Sequence, residues 1–354
     1  MLQSPVSSSN RAVAAWLLAC CALVFAMVVV GGVTRLTHSG LSIVEWQPVA
    51  GAIPPLDEAD WQAEFDKYKL SPEFRQRNFD MSLADFKGIF WWEFVHRLLG
   101  RTVGVAFLLP FLWFLWRGEV RGALAWRLVA IFALGGLQGA VGWLMVKSGL
   151  VDDPRVSSLR LAAHLGIAFV IYGAILWTAL GLVAPPAERA PAGLVRAARA
   201  FAALVFVMAL TGALVAGIHA GYAYNTFPTM DGHWIPPEVL LIEPWWKNLV
   251  YNMATVQLDH RLLAYTIVVF AGILWWRVRA SRLSSLAPAW ANALAIAVAL
   301  QVCAGIATLL NRVPVPLAAI HQAGALVAFT CALGLAHSLA GAHYTRKAAG
   351  TPEL

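Results

Sequence analysis

The sequence predicts an all-α integral membrane protein: eight transmembrane helices arranged as two tandem four-helix bundles related by a pseudo-twofold axis. Three observations predict it. The composition is apolar, with long uncharged runs. One half of the chain matches the other. Four histidines, His96, His164, His260 and His321, fall one per helix at corresponding places in the two halves.

Of the 354 residues, 60% are hydrophobic and 13% charged, about half the charged fraction of an ordinary soluble domain. Ala12–Val33, Leu161–Ala184 and Ala289–Leu310 contain no Asp, Glu, Lys or Arg and are close to the roughly 20 residues that cross a bilayer as helix. Hydropathy places the eight spans at 12–33, 93–116, 122–146, 159–184, 198–219, 250–276, 287–310 and 315–340. The first follows Arg11 like a signal peptide, but it is too long for a typical apolar core of one and lacks an A-x-A exit, so it reads as a retained helix.

The net charge is +7, and its distribution indicates lipid and topology rather than nucleic acid. The basic residues stand in short connectors: Arg11; Arg117 and Arg121; Arg189, Arg196 and Arg199; Arg277, Arg279 and Arg282; Arg346 and Lys347. The positive-inside rule puts these connectors and both termini in the cytoplasm. The opposite, outer side carries two long segments. Segment 34–92 mixes acidic and basic residues with tryptophan and is expected to form short interfacial helices. Segment 220–249, rich in Pro, Trp and Tyr, is expected to lie on the membrane surface.

The connector APPAERAPAG, Ala184–Gly193, divides the chain. Gly31, His38 and Gly40 align with Gly212, His219 and Gly221 at one offset. VHRLLG at Val95–Gly100 aligns with DHRLLA at Asp259–Ala264, LQGAVG at Leu137–Gly142 with LQVCAG at Leu300–Gly305, and His164 with His321. The expected organisation is an N-terminal bundle (1–183) containing the outer segment, a cytoplasmic linker (184–197) and a C-terminal bundle (198–354). With four spans per repeat, the repeats are parallel. Cys20, Cys21, Cys303 and Cys331 lie inside apolar runs without metal-ligand spacing and read as small helix residues.

His96, His164, His260 and His321 all lie towards the outer ends of their helices. Neutral imidazoles converging in a bundle core are suitable axial ligands for haem iron, so two pairs imply two haem-type sites; the alternative is four unrelated helix histidines. Arg97 and Arg261 each follow one of these histidines and are candidates to pair with haem propionates, or simply snorkel at the interface. Glu93 stands three residues before His96, on the same helix face. Its counterpart before His260 is Gln257. A carboxylate can move protons or stabilise a developing cation, and an amide cannot titrate. The asymmetry therefore assigns chemistry to the first half and electron transfer to the second, unless Glu93 only pairs at a helix start. His38 and His219 could orient propionates, relay protons or be ordinary loop residues. His233, His337 and His343 receive no role.

Through these residues the chain resembles the haem A synthase family along nearly its whole length. The carrying segments are GGVTRLTHSGLSIVEWQPVAGAIPP (Gly31–Pro55), EFVHRLLGR (Glu93–Arg101), AAHLG (Ala162–Gly166), YNTFPTMDGHWIPP (Tyr224–Pro237), LDHRLLAY (Leu258–Tyr265) and IHQAGA (Ile320–Ala325). The resemblance implies oxidation of the C8 methyl of haem O to a formyl group, giving haem A for terminal oxidases. It implies a b-type haem on His260 and His321, substrate haem O on His96 and His164, and Glu93 as the family's essential glutamate. Some members carry a cysteine pair in the outer loops; this chain has none there. The long first outer segment resembles the proteobacterial and mitochondrial branch, and the N-terminus favours a bacterial inner membrane. Expected partners are haem O, a haem O synthase in complex, an electron partner the sequence does not identify, membrane lipid and a second copy of the chain. The competing readings are a dihaem b-type cytochrome that only transfers electrons and a haem transporter or chaperone.

Overall fold

The computed structural model describes residues 7–47, 50–151, 154–183, 190–283 and 286–340. In chain order the α-helices are α1 (Ser8–Leu36), α2 (Glu58–Lys69), α3 (Pro72–Gln76), α4 (Leu83–Trp116), α5 (Gly122–Gly149), α6 (Ser158–Val183), α7 (Ala192–Gly217), α8 (Asn248–Tyr251), α9 (Met253–Ala280), α10 (Ala287–Leu310) and α11 (Val315–Leu339). Among the described residues eight of these, all but α2, α3 and α8, are long and apolar enough to cross a membrane. The protein is a multi-pass, all-α membrane protein, as the sequence predicts. Most of the connector 184–193, with Arg189, and the C-terminal Arg346, Lys347 and His343 lie outside the described residues.

The largest departure from the predicted spans is α4, which begins at Leu83 rather than 93. Asp85 and Lys87 lower the hydropathy there, but two forces extend the helix. Ser82 and Asp85 form a capping box, each side chain bonding the other's backbone N–H. Phe86, Phe90 and Phe94 then pack with Trp61, Phe65 and Tyr68 in a separate aromatic cluster. The expected interfacial helices of the first long segment are α2 and α3, started by Asp57 and Ser71, and they dock on this extension of α4. The second long segment has little regular structure, and side chains satisfy its backbone instead. Asn248 Nδ2 donates to the carbonyls of Ile242 and Trp245, and Asn252 Nδ2 to that of Glu238.

In the first half α1 packs on α4 and α6, and α5 packs on the same two. In the second half α7 packs on α9 and α11, and α10 packs on the same two. Each half is a ring of four with α4 diagonal to α6, or α9 diagonal to α11. The halves join through α6 on α7, α1 on α11 and α6 on α11, so these neighbour relations among the spanning helices have repeat-matched counterparts. One apolar core runs across the join, through Leu17, Phe169, Ile175, Phe201, Leu326 and Leu335. Two polar ties cross it: Tyr172 Oη to Thr330 Oγ1 at 2.7 Å, and Gln322 Nε2 donating to Val28 O at 2.6 Å. The end of the molecule carrying both long segments is called the loop face below.

Candidate functional site

The four histidines stand on the diagonal helices: His96 on α4 and His164 on α6, His260 on α9 and His321 on α11. Within each half the two imidazoles are near enough to interact electrostatically. Each ring lies against a glycine of a neighbouring helix. A Cβ at Gly31 would sit 2.8 Å from His96 Nε2, and one at Gly142 2.8 Å from His164 Cε1. In the second half a Cβ at Gly212 would sit 3.3 Å from His260 Cε1, and one at Gly305 2.7 Å from His321 Cε1. Gly31 matches Gly212, and Gly142 matches Gly305. The sequence alignment registers these glycines but gives them no role; their lack of a side chain lets each ring lie against helix backbone.

The two pairs differ in how their rings are held. Thr211 Oγ1 lies 2.9 Å from both His260 Nδ1 and Met208 O. With its single hydrogen on Met208 O, the hydroxyl accepts from Nδ1–H and the Nε2 lone pair is left open. His321 Nδ1 lies 3.2 Å from the carbonyl of Gln301, which can only accept, so its Nε2 is bare as well. Gln301 Nε2 also donates to His321 O. Two imidazoles with bonded Nδ1–H groups and open Nε2 atoms fit a bis-imidazole haem ligand set.

The first half shares this arrangement only in part, since His164 also meets Gln138, the repeat match of Gln301. Val30, the repeat match of Thr211, cannot hydrogen-bond, and His96 makes no hydrogen bond among the described residues. Gln138 Nε2 lies 3.3 Å from His164 Nε2, and His164 Nδ1 is buried without a partner. These imidazoles suit iron once the Gln138 amide gives up His164 Nε2, and the His96 ring is held by no hydrogen bond. Among the described residues no three His, Cys, Asp or Glu side chains converge on a common point.

Glu93 is 2% exposed, and its carboxylate accepts four hydrogen bonds. Arg97 Nε and Nη2 donate to Oε1 at 3.0 and 2.6 Å, while Ser42 Oγ and the Ile43 N–H donate to Oε2, both at 2.8 Å. Arg97 continues into the same loop, donating to the carbonyls of Ile43 and Glu45. The second half repeats the plan with reversed polarity at the loop. Gln257 Nε2 donates to Ala220 O, its Oε1 accepts from Arg261, and Arg261 donates to the carbonyls of Tyr224, Thr226, Pro228 and Thr229. Part of the Glu93/Gln257 asymmetry is thus a matter of loop polarity, since one loop offers donors and the other a carbonyl. Arg97 divides its donors between Glu93 and the loop, while Arg261 gives most of its bonds to loop carbonyls.

A second buried carboxylate, Glu73 on α3, feels the charge of Glu93 and is 3% exposed. Tyr68 Oη donates to it at 3.2 Å. Burial pushes its carboxyl up to about 7, with Glu93 adding to the rise while Tyr68 and Arg77 oppose it. No local sequence signal marks Glu73, because only tertiary packing buries its carboxylate.

The chain is similar to known proteins over nearly its whole length. Residues 14–333 match the family model COX15-CtaA, described as cytochrome oxidase assembly protein. A haem A synthase of Nitrosospira multiformis is 55% identical over 334 residues, covering 93% of this chain and 94% of that protein. One of Parvibaculum lavamentivorans is 49% identical, covering 94% and 96%, and one of Rhodospirillum centenum is 52% identical, covering 91% and 86%.

Proposed function

The chain belongs to the COX15-CtaA family of cytochrome oxidase assembly proteins, and from that premise we propose that it is a haem A synthase, an oxidoreductase that converts the C8 methyl of haem O to a formyl group. The observation that carries the division of labour is the unequal holding of the two histidine pairs. His260 and His321 each have Nδ1 met by a fixed partner, the Thr211 hydroxyl and the Gln301 carbonyl, which suits a resident group. His96 has no such partner, and the Gln138 amide meets His164 at Nε2 itself, a contact that a porphyrin iron would displace, which suits a group that must enter, react and leave. A b-type haem held by His260 and His321 would supply an electron acceptor.

His96 and His164 hold the substrate iron and so fix where the methyl falls. Glu93, coordinated by four donors, acts as a fixed negative charge that favours developing positive charge beside it. An apolar groove of about 430 Å³ between α5, α6 and α7, lined by Ala162, Ala163 and Gly166 next to His164, offers a lateral path for the farnesyl tail of haem O. The repeat-matched neighbour relations support two pseudo-twofold-related bundles, 1–183 and 198–354. Arg117, Arg121, Arg196, Arg199, Arg277, Arg279 and Arg282 gather at the end opposite the loop face. This supports a bacterial inner-membrane protein with cytoplasmic termini and the histidine pairs towards the periplasm. Free haem O is apolar, so direct transfer from a haem O synthase in complex is the expected supply.

The test is expression in a host that makes haem O but no haem A, followed by mass spectrometry of the extracted haems. Haem A in the extract supports the synthase. Only haem B and unmodified haem O, with electron partners supplied, would refute it in favour of the electron-transferring dihaem cytochrome.

A further inference from the structure

Where α1 and α7 end at the loop face, the rings of His38 and His219 lie nearly parallel, with planes 12° apart and centroids 6.2 Å apart. These repeat-matched residues meet across the join between the halves. Both have left-handed backbones, with φ of 53° and 58°, immediately after the helix C-caps Thr37 and Ile218. Glycine normally fills that position, because a Cβ is strained there. The turns are closed by backbone bonds, His38 N–H to Arg35 O, Ser39 N–H to Thr34 O and His219 N–H to Ala216 O, with the hydroxyls of Thr37 and Ser39 adding to the first. Neither imidazole is needed for the cap. Strain borne at two matched positions that glycine would relieve indicates that the side chains have a use.

The surroundings are cationic. Arg35 and Arg77 act on both rings, and Arg155 acts on His219. Burial first, and then these cations, hold both imidazoles below their ordinary value, with His219 at about 4. Tyr222 stacks on His219 with centroids 6.4 Å apart and lies near Arg35. Arg77 is also within reach of Glu73, but no carboxylate among the described residues acts on either imidazole.

We propose that this seam is an oxyanion site whose occupant is a propionate carboxylate of the porphyrin held in the first half. Gly31 faces His96, Arg35 follows it by one turn of α1, about 6 Å towards the loop face, and His38 lies just past the end of that helix. A carboxylate extending from a ring at His96 towards that face reaches them. The repeat match of Arg35 is Ala216, so the site belongs to the first half. The proposal rests on the reading of His96 and His164 as the porphyrin-holding pair.

The test uses the full chain in nanodiscs, loaded with iron protoporphyrin IX or its dimethyl ester, with release to an apo-globin resolved into two phases. Wild type is compared with His38→Gly/His219→Gly, which relieves the backbone strain and should not lower the thermal midpoint, and with Arg35→Gln. The expected result is that one phase of free-acid release quickens about tenfold or more in both variants, while ester release does not change. Unchanged free-acid release, or an ester shifted equally, would overturn the proposal. Loss of phosphatidylglycerol binding in the variants with both porphyrin rates unchanged would assign the oxyanion to a lipid phosphate and also overturn it. Wild type that holds neither porphyrin would remove the parent reading; wild type that releases acid and ester alike removes only the seam.

Discussion

Replacing Glu93 with glutamine separates anchoring from chemistry. The carboxylate takes two hydrogen bonds from Arg97 and two from the loop, with side chains 3% and 13% exposed. Glutamine keeps one acceptor oxygen, so it can serve Arg97 or the loop donors but not both, and its amide hydrogens would face the N–H of Ile43 or the guanidinium. Hydrogen bonds to charged groups contribute about 1.5–3 kcal/mol each, and breaking a buried ion pair from one side costs about 3–5 kcal/mol. With one acceptor retained, the loop at 39–47 should lose about 3 kcal/mol of local stability, roughly a 100-fold rise in its opening equilibrium. Amide exchange at Ile43, whose N–H Glu93 accepts, reads this directly. Arg97→Met should produce a similar effect, and the double variant little more than either single one, because the two residues act as a unit. If Ile43 exchange in Glu93→Gln stays within about threefold of wild type while haem A formation is lost, the anchoring argument is wrong and the residue acts in the chemistry alone.

Thr211→Val gives His260 the apolar environment that Val30 gives the first half, and should weaken haem retention in the second half about 10- to 100-fold, read as the haem release rate. Gly305→Ala places a Cβ 2.7 Å from His321 Cε1 and should cost about 1–3 kcal/mol and disturb the bis-imidazole absorption spectrum. Gly135→Ala, where nothing lies within 4 Å, should do neither. Glu73 has its carboxyl raised from 4.5 to about 7, so its contribution to stability is full below pH 4.5 and is lost as pH rises through 7. Glu73→Gln should therefore be more stable than wild type at pH 8, by on the order of 3 kcal/mol, and equal to it near pH 4; thermal melts across this range check the sign.

Sequence periodicity and charge made the eight spans legible, because a bilayer imposes a minimum apolar length that each helix meets on its own. Duplication made the four histidines legible, since unrelated loops do not reproduce HRLL and LQ motifs at matching places. Both are properties of the chain in one dimension. Hydropathy places the start of α4 ten residues late because Phe86 and Phe90 are held by Trp61 and Phe65, partners that it cannot assign. Glu93 and Gln257 were identified as a functional contrast, yet the donors at Ser42 and Ile43 and the carbonyl at Ala220 give that contrast a second, structural cause. The hydroxyl that fixes His260 comes from α7, 49 residues away, and the stacking of His38 on His219 joins the two halves. Sequence determined which residues are available, because ligand chemistry and membrane length are local. The tertiary structure decided which nitrogen stays open, which carboxylate is buried and which histidines meet, because those depend on neighbours that only packing brings together.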